Sequence, residues 1–122
     1  MSQENVEIVR RLYDAAASGD SATVLSLYDT DVEWDFTRHP FGSLIGGRVH
    51  RGHAGLRSFF GEMRETWENV EWEIKDLLDA GEHVVLIVDQ QTRGRLSGAD
   101  VKDTAVGVFT LSNGRVVRVV WF

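Results

Sequence analysis

The sequence contains no cysteine, which excludes disulfides, thiolate metal sites and cysteine nucleophiles. It has a single proline, Pro40, and no low-complexity linker that would separate domains. Its longest apolar runs are a few residues, as in VVLIV at 84–88, whereas a membrane-spanning helix needs about 20. No basic run occurs, and the net charge of −6 would repel a phosphate backbone. We therefore expect neither a nucleic-acid nor a membrane partner.

The chain has 122 residues, 43% of them apolar, with four Trp and six Phe. This length and composition predict one domain, over residues 1–122, with one hydrophobic core. The first residues, MSQENVEIVRR, are too polar for a secretory signal peptide. Together with the lack of cysteine, they predict a cytoplasmic protein.

The apolar pattern changes from helical to alternating along the chain. Apolar residues at spacings of three and four predict helices over 2–17 and 53–67, and Asp20 is placed to cap a short second helix after Gly19. Alternation predicts strands over 32–36, 70–78, 83–95, 101–111 and 115–122. The Asn113-Gly114 pair predicts a tight hairpin turn, and residues 37–51 read as a loop long enough to act as a lid or pocket wall. Helices followed by a strand meander define an α+β class.

Four segments in this order, ENVEIVRRLYDAAASGD, YDTDVEW, RGHAGLRSFF and VGVFTLSNGRVVRVVWF, resemble a SnoaL-like domain of the nuclear transport factor two-like superfamily. The resemblance spans essentially the whole chain. It implies a cone-shaped, curved antiparallel sheet packed against three N-terminal helices and enclosing a pocket. Members of this superfamily include ketosteroid isomerases, polyketide cyclases, epoxide hydrolases and non-catalytic proteins, so the fold leaves the function open.

The resemblance also implies a homodimer formed through the convex face of the sheet. The residues agree, since apolar Val108, Val116 and Val120 are expected on a sheet face that no helix covers.

Ketosteroid isomerases use a Tyr, an Asp base and a protonated Asp. Carried over by motif, those three positions fall on Leu12, Phe36 and Gly107. We therefore predict no steroid isomerase activity by that mechanism. A shift of one residue would restore Tyr13 and Asp35, and this alternative stays open.

The same alignment turns Asp89, Gln91 and Arg93 toward the pocket, opposite Asp103. Two carboxylates beside a guanidinium can activate a water and polarise an oxygen, so Asp89, Arg93 and Asp103 are the predicted catalytic residues, with Gln91 orienting the substrate. Limonene epoxide hydrolases use an Asp-Arg-Asp set, but Trp121 stands where their last-strand acid is expected. The alternative to a pocket position is that the side chains of residues 89–93 lie on the outer face of the sheet.

The predicted ligand contacts combine an apolar wall with a few polar groups. They are Tyr13, Trp34, Phe36, Phe59, Met63, Gln91 and Trp121. The histidines at 39, 50, 53 and 83 lack a strong metal-binding spacing, so we expect no metal and no cofactor. His53 is expected to bond nearby backbone, and His83 to be solvated at a turn.

Two functions fit these observations. In the first, the protein is a cofactor-independent isomerase, cyclase or hydrolase that acts on a small apolar molecule bearing oxygen. In the second, it is a non-catalytic ligand-binding or dimerisation module, because the isomerase residues are missing.

Overall fold

The computed structural model describes residues 2–39 and 49–122. Its helices are α1 (Ser2–Ala17), α2 (Ser21–Leu27) and α3 (Gly52–Thr66). Its strands are β1 (Tyr28–Asp35), β2 (Val49–Arg51), β3 (Trp67–Ala80), β4 (His83–Gly94), β5 (Asp100–Ser112) and β6 (Arg115–Trp121). The predicted α+β class is confirmed. The part of the predicted loop at 40–48 lies outside the described residues.

The first two helices begin and end where their capping residues require. Gly19 has a φ of +77°, and the Asp20 amide donates to the Ala15 carbonyl at 2.9 Å, which closes α1. The Asp20 side chain then accepts from the Thr23 amide at 3.2 Å and so caps α2. Both helix boundaries predicted around Gly19 and Asp20 are confirmed.

The six strands form one sheet in the order β2-β1-β6-β5-β4-β3. Every neighbouring pair is antiparallel except β1 and β6, which run parallel. The sheet is therefore mixed, where the resemblance implied an antiparallel one. The parallel pair arises because β6, the last strand of the meander, docks beside a strand that no tight turn connects to it.

Strand β2 lies inside the segment predicted as a loop. Val49, His50 and Arg51 pair with Asp35, Trp34 and Glu33 of β1. The loop prediction is wrong for these residues because a strand of three residues is too short to show alternation.

Turns and bulges set the register of the long strands. Asn113 and Gly114 have φ values of 53° and 76°, so the predicted hairpin turn is confirmed. A register shift between Thr110 and Leu111 turns Val116 toward the core, where it is fully buried. The prediction that Val116 lies on the uncovered face is therefore wrong.

The core lies between the helices and one face of the sheet. We call this face the inner face; it carries the fully buried Val84, Leu86 and Val88 of β4. The opposite, outer face carries half-buried side chains, among them Val108 and Val120, which pair with each other across β5 and β6. No helix in the described part of the chain is long and apolar enough to cross a membrane.

Candidate functional site

Five aromatic side chains meet on the inner face, where α3 packs against β1 and β1 lies beside β6. We call them the aromatic cluster: Trp34, Phe36, Phe59, Phe60 and Trp121. The Trp34 ring centroid lies 5.5–5.9 Å from the other four, and the Phe36 and Trp121 rings are nearly parallel, 12° apart, at a centroid distance of 6.3 Å. Edge and offset contacts of this kind stabilise aromatic pairs. The structure thus brings four predicted ligand contacts together.

The inner-face positions of the isomerase carboxylates hold no carboxylate. Phe36 lies inside at the position of the base. At the position of the second acid, a Cβ on Gly107 would lie 2.8 Å from Cζ3 of Trp121, so the indole lies directly on the glycine. The predicted absence of these two acids from the interior therefore has a structural basis, because an aromatic wall fills their places.

Asp35 faces away from this wall. Its side chain accepts from the Thr37 amide at 2.8 Å and from the Thr37 hydroxyl, and Arg118 of β6 donates to it at 3.4 Å. The hydrogen bonds from Thr37, followed by the bond and charge of Arg118, lower the pKa of this carboxyl. The alternative register that would make Asp35 an interior base is therefore wrong.

The cluster contains polar donors that nothing in the described chain satisfies. Trp121 is 5% exposed, and its Nε1 has no hydrogen-bond partner among the described residues. The buried Nε1 of Trp34 likewise lacks a partner of good geometry in residues 2–39 and 49–122, although the Trp34 side chain is near enough to the Tyr28 hydroxyl to affect its pKa. A buried donor left without a partner costs about 1–3 kcal/mol. Such groups are rare unless a ligand or water completes them.

The two tyrosines pack in the core: Tyr28 is fully buried and stacks edge-on with Trp34 of the cluster, whereas Tyr13 is partly buried. Tyr13 packs edge-on against Trp72 and Phe109, with ring centroids 6.1 and 6.4 Å away, so its side chain enters the core as predicted. Desolvation raises the pKa of the Tyr13 hydroxyl. Burial also raises the pKa of the Tyr28 hydroxyl, with a further contribution from Tyr13, and a hydrogen bond with Trp34 opposes the rise. Both hydroxyls therefore remain protonated donors over the physiological range of pH.

Two imidazoles flank Phe36. His50, on β2, is 6% exposed, and its ring centroid lies 6.0 Å from that of Phe36 and 4.9 Å from that of Phe59. His39, in the turn after β1, is half-buried, and its ring centroid lies 6.3 Å from that of Phe36. Sequence reasoning considered both only as metal ligands. His50 lies on the inner face because it pairs with Trp34 across β1 and β2.

The predicted polar set does not converge. Asp89 pairs with Thr104 and bonds its hydroxyl at 2.7 Å, while Asp103 pairs with Gln90 in the neighbouring row. Side chains of adjacent rows point to opposite faces. The prediction that Asp89, Gln91 and Arg93 share the inner face with Asp103 is wrong, and the outer-face alternative is the one that the register supports.

Arg93 pairs with Asp100 instead, at 2.9 Å, and both side chains are about half exposed. With Gln91 they line a shallow depression of about 160 Å³ near the end of the sheet; its other lining residues are Asn69, Glu71 and Thr92. Asp103 keeps the inner-face parity but is exposed. It lies four residues from Gly107 on β5, about 13 Å along the strand. An Asp-Arg-Asp set of the epoxide hydrolase kind is therefore not assembled.

The two remaining histidines have structural partners. His53 bonds the Tyr28 carbonyl at 3.0 Å, so its ring bonds backbone as expected, but on β1 and not on its own helix. His83 is half-buried and bonds the Thr110 hydroxyl at 2.9 Å. Across residues 2–39 and 49–122, no three His, Cys, Asp or Glu side chains group closely enough to hold a metal ion.

Partly buried Met63 packs against the core, as predicted. The predicted apolar residues therefore lie in or against the core, whereas the unpaired indole N–H of Trp121 and the buried His50 were missed. No pattern in the sequence could have shown the first, since an unmet hydrogen bond is a property of three-dimensional packing alone.

Comparison with solved structures shows the same fold in many proteins. An NTF2-like protein of unknown function from Burkholderia pseudomallei K96243 is 26% identical, with a TM-score of 0.87, and the match covers 100% of this chain and 91% of that one. A protein proposed to be a SnoaL-like polyketide cyclase, from Jannaschia sp. CCS1, is 20% identical, with a TM-score of 0.85 and coverages of 100% and 86%. TerC, co-crystallised with polyporic acid, is 22% identical, with a TM-score of 0.85 and coverages of 98% and 90%.

A search of curated proteins found no significant match. The model of the SnoaL-like domain matches residues 9–119, which is nearly the whole chain. The chain belongs to the SnoaL-like domain family.

Proposed function

We propose that the aromatic cluster walls a binding site for a small, flat, mostly apolar molecule that carries an acceptor oxygen such as a carbonyl. The observation that supports this most directly is the N–H of Trp121, buried beside Phe36 and without a partner in the described chain. Aromatic faces favour a flat apolar body, and a fixed donor selects an oxygen on its edge.

The energetics favour a ligand over a purely structural role for this indole. Leaving the donor unpaired costs about 1–3 kcal/mol, and a carbonyl that accepts from it recovers about 0.5–1.5 kcal/mol net. A phenylalanine would fill much of the same volume without that cost. TerC, which has the same fold, has been co-crystallised with polyporic acid, which is consistent with a site for organic molecules in this fold.

The proposed function is ligand binding and does not include catalysis by a carboxylate. Asp35, Asp89 and Arg93 bond on the outer face, and Asp103 lies at the exposed end of β5. Isomerase, cyclase or hydrolase activity through these groups would have to occur away from the aromatic wall. The non-catalytic alternative set out from the sequence therefore receives more support than carboxylate catalysis.

A matched pair of ligands tests the proposal. The ketone 2-tetralone and its hydrocarbon counterpart tetralin have nearly the same shape, and only the ketone can accept a hydrogen bond. We expect the native protein to bind both, measured by thermal shift and Trp fluorescence, and to prefer the ketone. In Trp121→Phe that preference should fall by about two- to tenfold, because the donor is lost while the aromatic wall remains.

Trp67→Phe is the matched control, since Trp67 packs over Gly94 at the far end of the sheet. It should leave the preference for the ketone unchanged. A native protein that binds neither ligand, or a Trp121→Phe variant with the full preference for the ketone, would contradict the proposed function.

We also propose that the outer face forms a homodimer with a second copy of the chain. Half-buried apolar side chains run across the middle of β4, β5 and β6 on this face: Val85, Ile87, Val106, Val108 and Val120. Leu78 extends this apolar surface onto β3 and is 45% exposed. Contiguous apolar surface of this kind marks association sites.

Sedimentation at micromolar concentration should therefore show a dimer, and Val108→Lys should convert it to a monomer, because the new charge would be buried without a partner. Val101→Lys makes the same change on the opposite face near the exposed start of β5, and should leave the dimer intact. A native monomer would defeat this proposal.

A further inference from the structure

The inner face changes from buried to accessible toward the start of β5. Ala105 and Val88 form a buried pair across β5 and β4. The next inward-facing row consists of Asp103, Gln90 and Trp72, which lie in register on β5, β4 and β3. In this row Asp103 is exposed, Gln90 is half-buried and Trp72 is 39% exposed. We call these three residues the open row, because a molecule from solvent can reach them.

Ring contacts connect the open row to the aromatic cluster. The Tyr13 ring lies 6.1 Å from that of Trp72 and 6.4 Å from that of Phe109, between centroids. The Phe109 ring in turn lies 5.9 Å from that of Trp121. Aromatic side chains therefore lead along the inner face from the proposed ligand donor to the open row.

Asp103 gives the open row a negative charge that the protein does not neutralise. Its carboxylate forms no hydrogen bond or ion pair with any residue of 2–39 and 49–122. The neighbouring Lys102 has the opposite strand parity and so belongs to the outer face. On that outer face Asp89, in contrast, accepts from Thr104 at 2.7 Å and lies 3.7 Å from the ammonium of Lys75. Of these two carboxylates, only that of Asp103 is left for a group from outside the chain.

We infer that the ligand of the proposed site carries a cationic amine at the end opposite its acceptor oxygen, and that the open row binds this amine. The inference rests on the proposed function and narrows its ligand class to flat, two-ended amines. An indole such as that of Trp72 attracts a cation through its ring, and the carboxylate of Asp103 supplies the opposite charge. The amide oxygen of Gln90 can accept from an ammonium N–H. The net charge of −6 favours the approach of a cation as well.

The separation of the two ends sets the size of the ligand. Asp103 is four residues from Gly107, on which the Trp121 indole lies, and this corresponds to about 13 Å along β5. A bicyclic ketone with an aminomethyl group on its far ring covers much of this distance. A small ketone such as 2-tetralone would contact the aromatic cluster alone.

A pair of ligands of nearly the same shape tests the inference. The amine of 6-[(dimethylamino)methyl]-2-tetralone is protonated at neutral pH, whereas 6-isobutyl-2-tetralone has no charge. At low salt we expect the native protein to bind the amine about three- to thirtyfold more tightly, from an exposed ion pair and a cation–π contact. Isothermal titration calorimetry measures both affinities. In Asp103→Asn the ratio of the two affinities should fall by about two- to fivefold, because the ion pair is lost.

Asp89→Asn is the matched control, since it removes the same charge from the neighbouring row on the outer face. It should keep the native ratio of affinities. A ratio that falls equally in both variants would reflect net charge alone and would overturn the inference. Equal binding of the two compounds by the native protein, or a native ratio in Asp103→Asn, would also overturn it while the proposed function stands. Failure to bind either compound counts against both.

An NMR measurement on the native protein locates the bound amine without any substitution. Gln90 lies between Trp72 and Asp103 in the open row, whereas its neighbour Gln91 belongs to the outer face. The side-chain amide signals of Gln90 should therefore shift more with the amine than with the isobutyl compound, and those of Gln91 should shift with neither. Equal shifts of the Gln90 signals with the two compounds would contradict the inference.

Discussion

Gly107→Ala is a direct test of how the interior wall is built. The added Cβ would lie 2.8 Å from Cζ3 of Trp121 and 3.1 Å from two further ring atoms. To reach an ordinary contact of 3.4 Å the indole would have to move by about 0.6 Å. It has little room to do so, since Phe36 lies parallel to it at 6.3 Å and Phe109 meets it edge-on at 5.9 Å.

Overpacking of this kind costs about 1–3 kcal/mol. For a domain of this size, that corresponds to a fall in Tm of about 3–12 °C. We expect Gly107→Ala to unfold at correspondingly lower denaturant concentration and to show a changed near-UV circular dichroism spectrum, because Trp121 reports its own environment. Binding of 2-tetralone should weaken at the same time.

Gly61→Ala is the matched control for this substitution. Gly61 lies within α3, and the nearest atom to its added Cβ is the end of the Arg64 side chain at 3.9 Å. The same change should therefore stabilise the protein by about 0.4–1 kcal/mol. In the double variant Gly107→Ala with Trp121→Phe, the smaller ring should remove part of the clash. The loss of stability in the double variant should therefore be smaller than the sum of the losses in the two single variants. A Gly107→Ala protein as stable as the native one would refute the packing described above.

Two further predictions concern pH. The chain has two tyrosines, and burial raises the pKa of both, so tyrosinate absorbance at pH 10 should be nearly absent from the folded protein. Because the unfolded chain releases these protons first, the stability of the protein should fall as pH rises above about 10. Normal titration of one tyrosine would place Tyr13 or Tyr28 outside the core. Asp35 has a lowered folded pKa, so its contribution to stability is complete above 3.8, the usual pKa of an aspartate, and is lost as pH falls through the folded value. The stability difference between native protein and Asp35→Asn should therefore be constant near neutrality and shrink in acid; a difference independent of pH would contradict the bonds from Thr37 and Arg118.

Local signals in the sequence predicted much of the fold. The Gly19-Asp20 pair marks the junction of α1 and α2 because a glycine at positive φ closes one helix and a carboxylate caps the next. The Asn113-Gly114 pair marks the β5–β6 hairpin, since both residues adopt the left-handed conformation that its turn needs. These signals involve few residues and little tertiary context, so they can be interpreted from one chain.

The candidate site depended on strand parity, which the sequence left ambiguous on β4. The segment 84–88 is apolar throughout, because the even positions enter the core and the odd positions form the half-buried outer face. Alternation cannot then choose between the two faces, and a shift of one residue exchanges them completely. The alignment turned Asp89 and Arg93 inward, whereas the pairing of Asp89 with Thr104 places them outward. His50 was missed because a strand of three residues leaves no pattern.

Gly107 and Trp121 are complementary, and this constrains what the site can do. An acid at position 107 would have to project through the space that the indole fills, so the isomerase acid cannot be regained by one substitution while Trp121 keeps its place. Phe36 fills the place of the base and stacks on the same indole. Loss of the two carboxylates is thus a single packing solution, in which one large side chain covers a glycine and stacks on a phenylalanine.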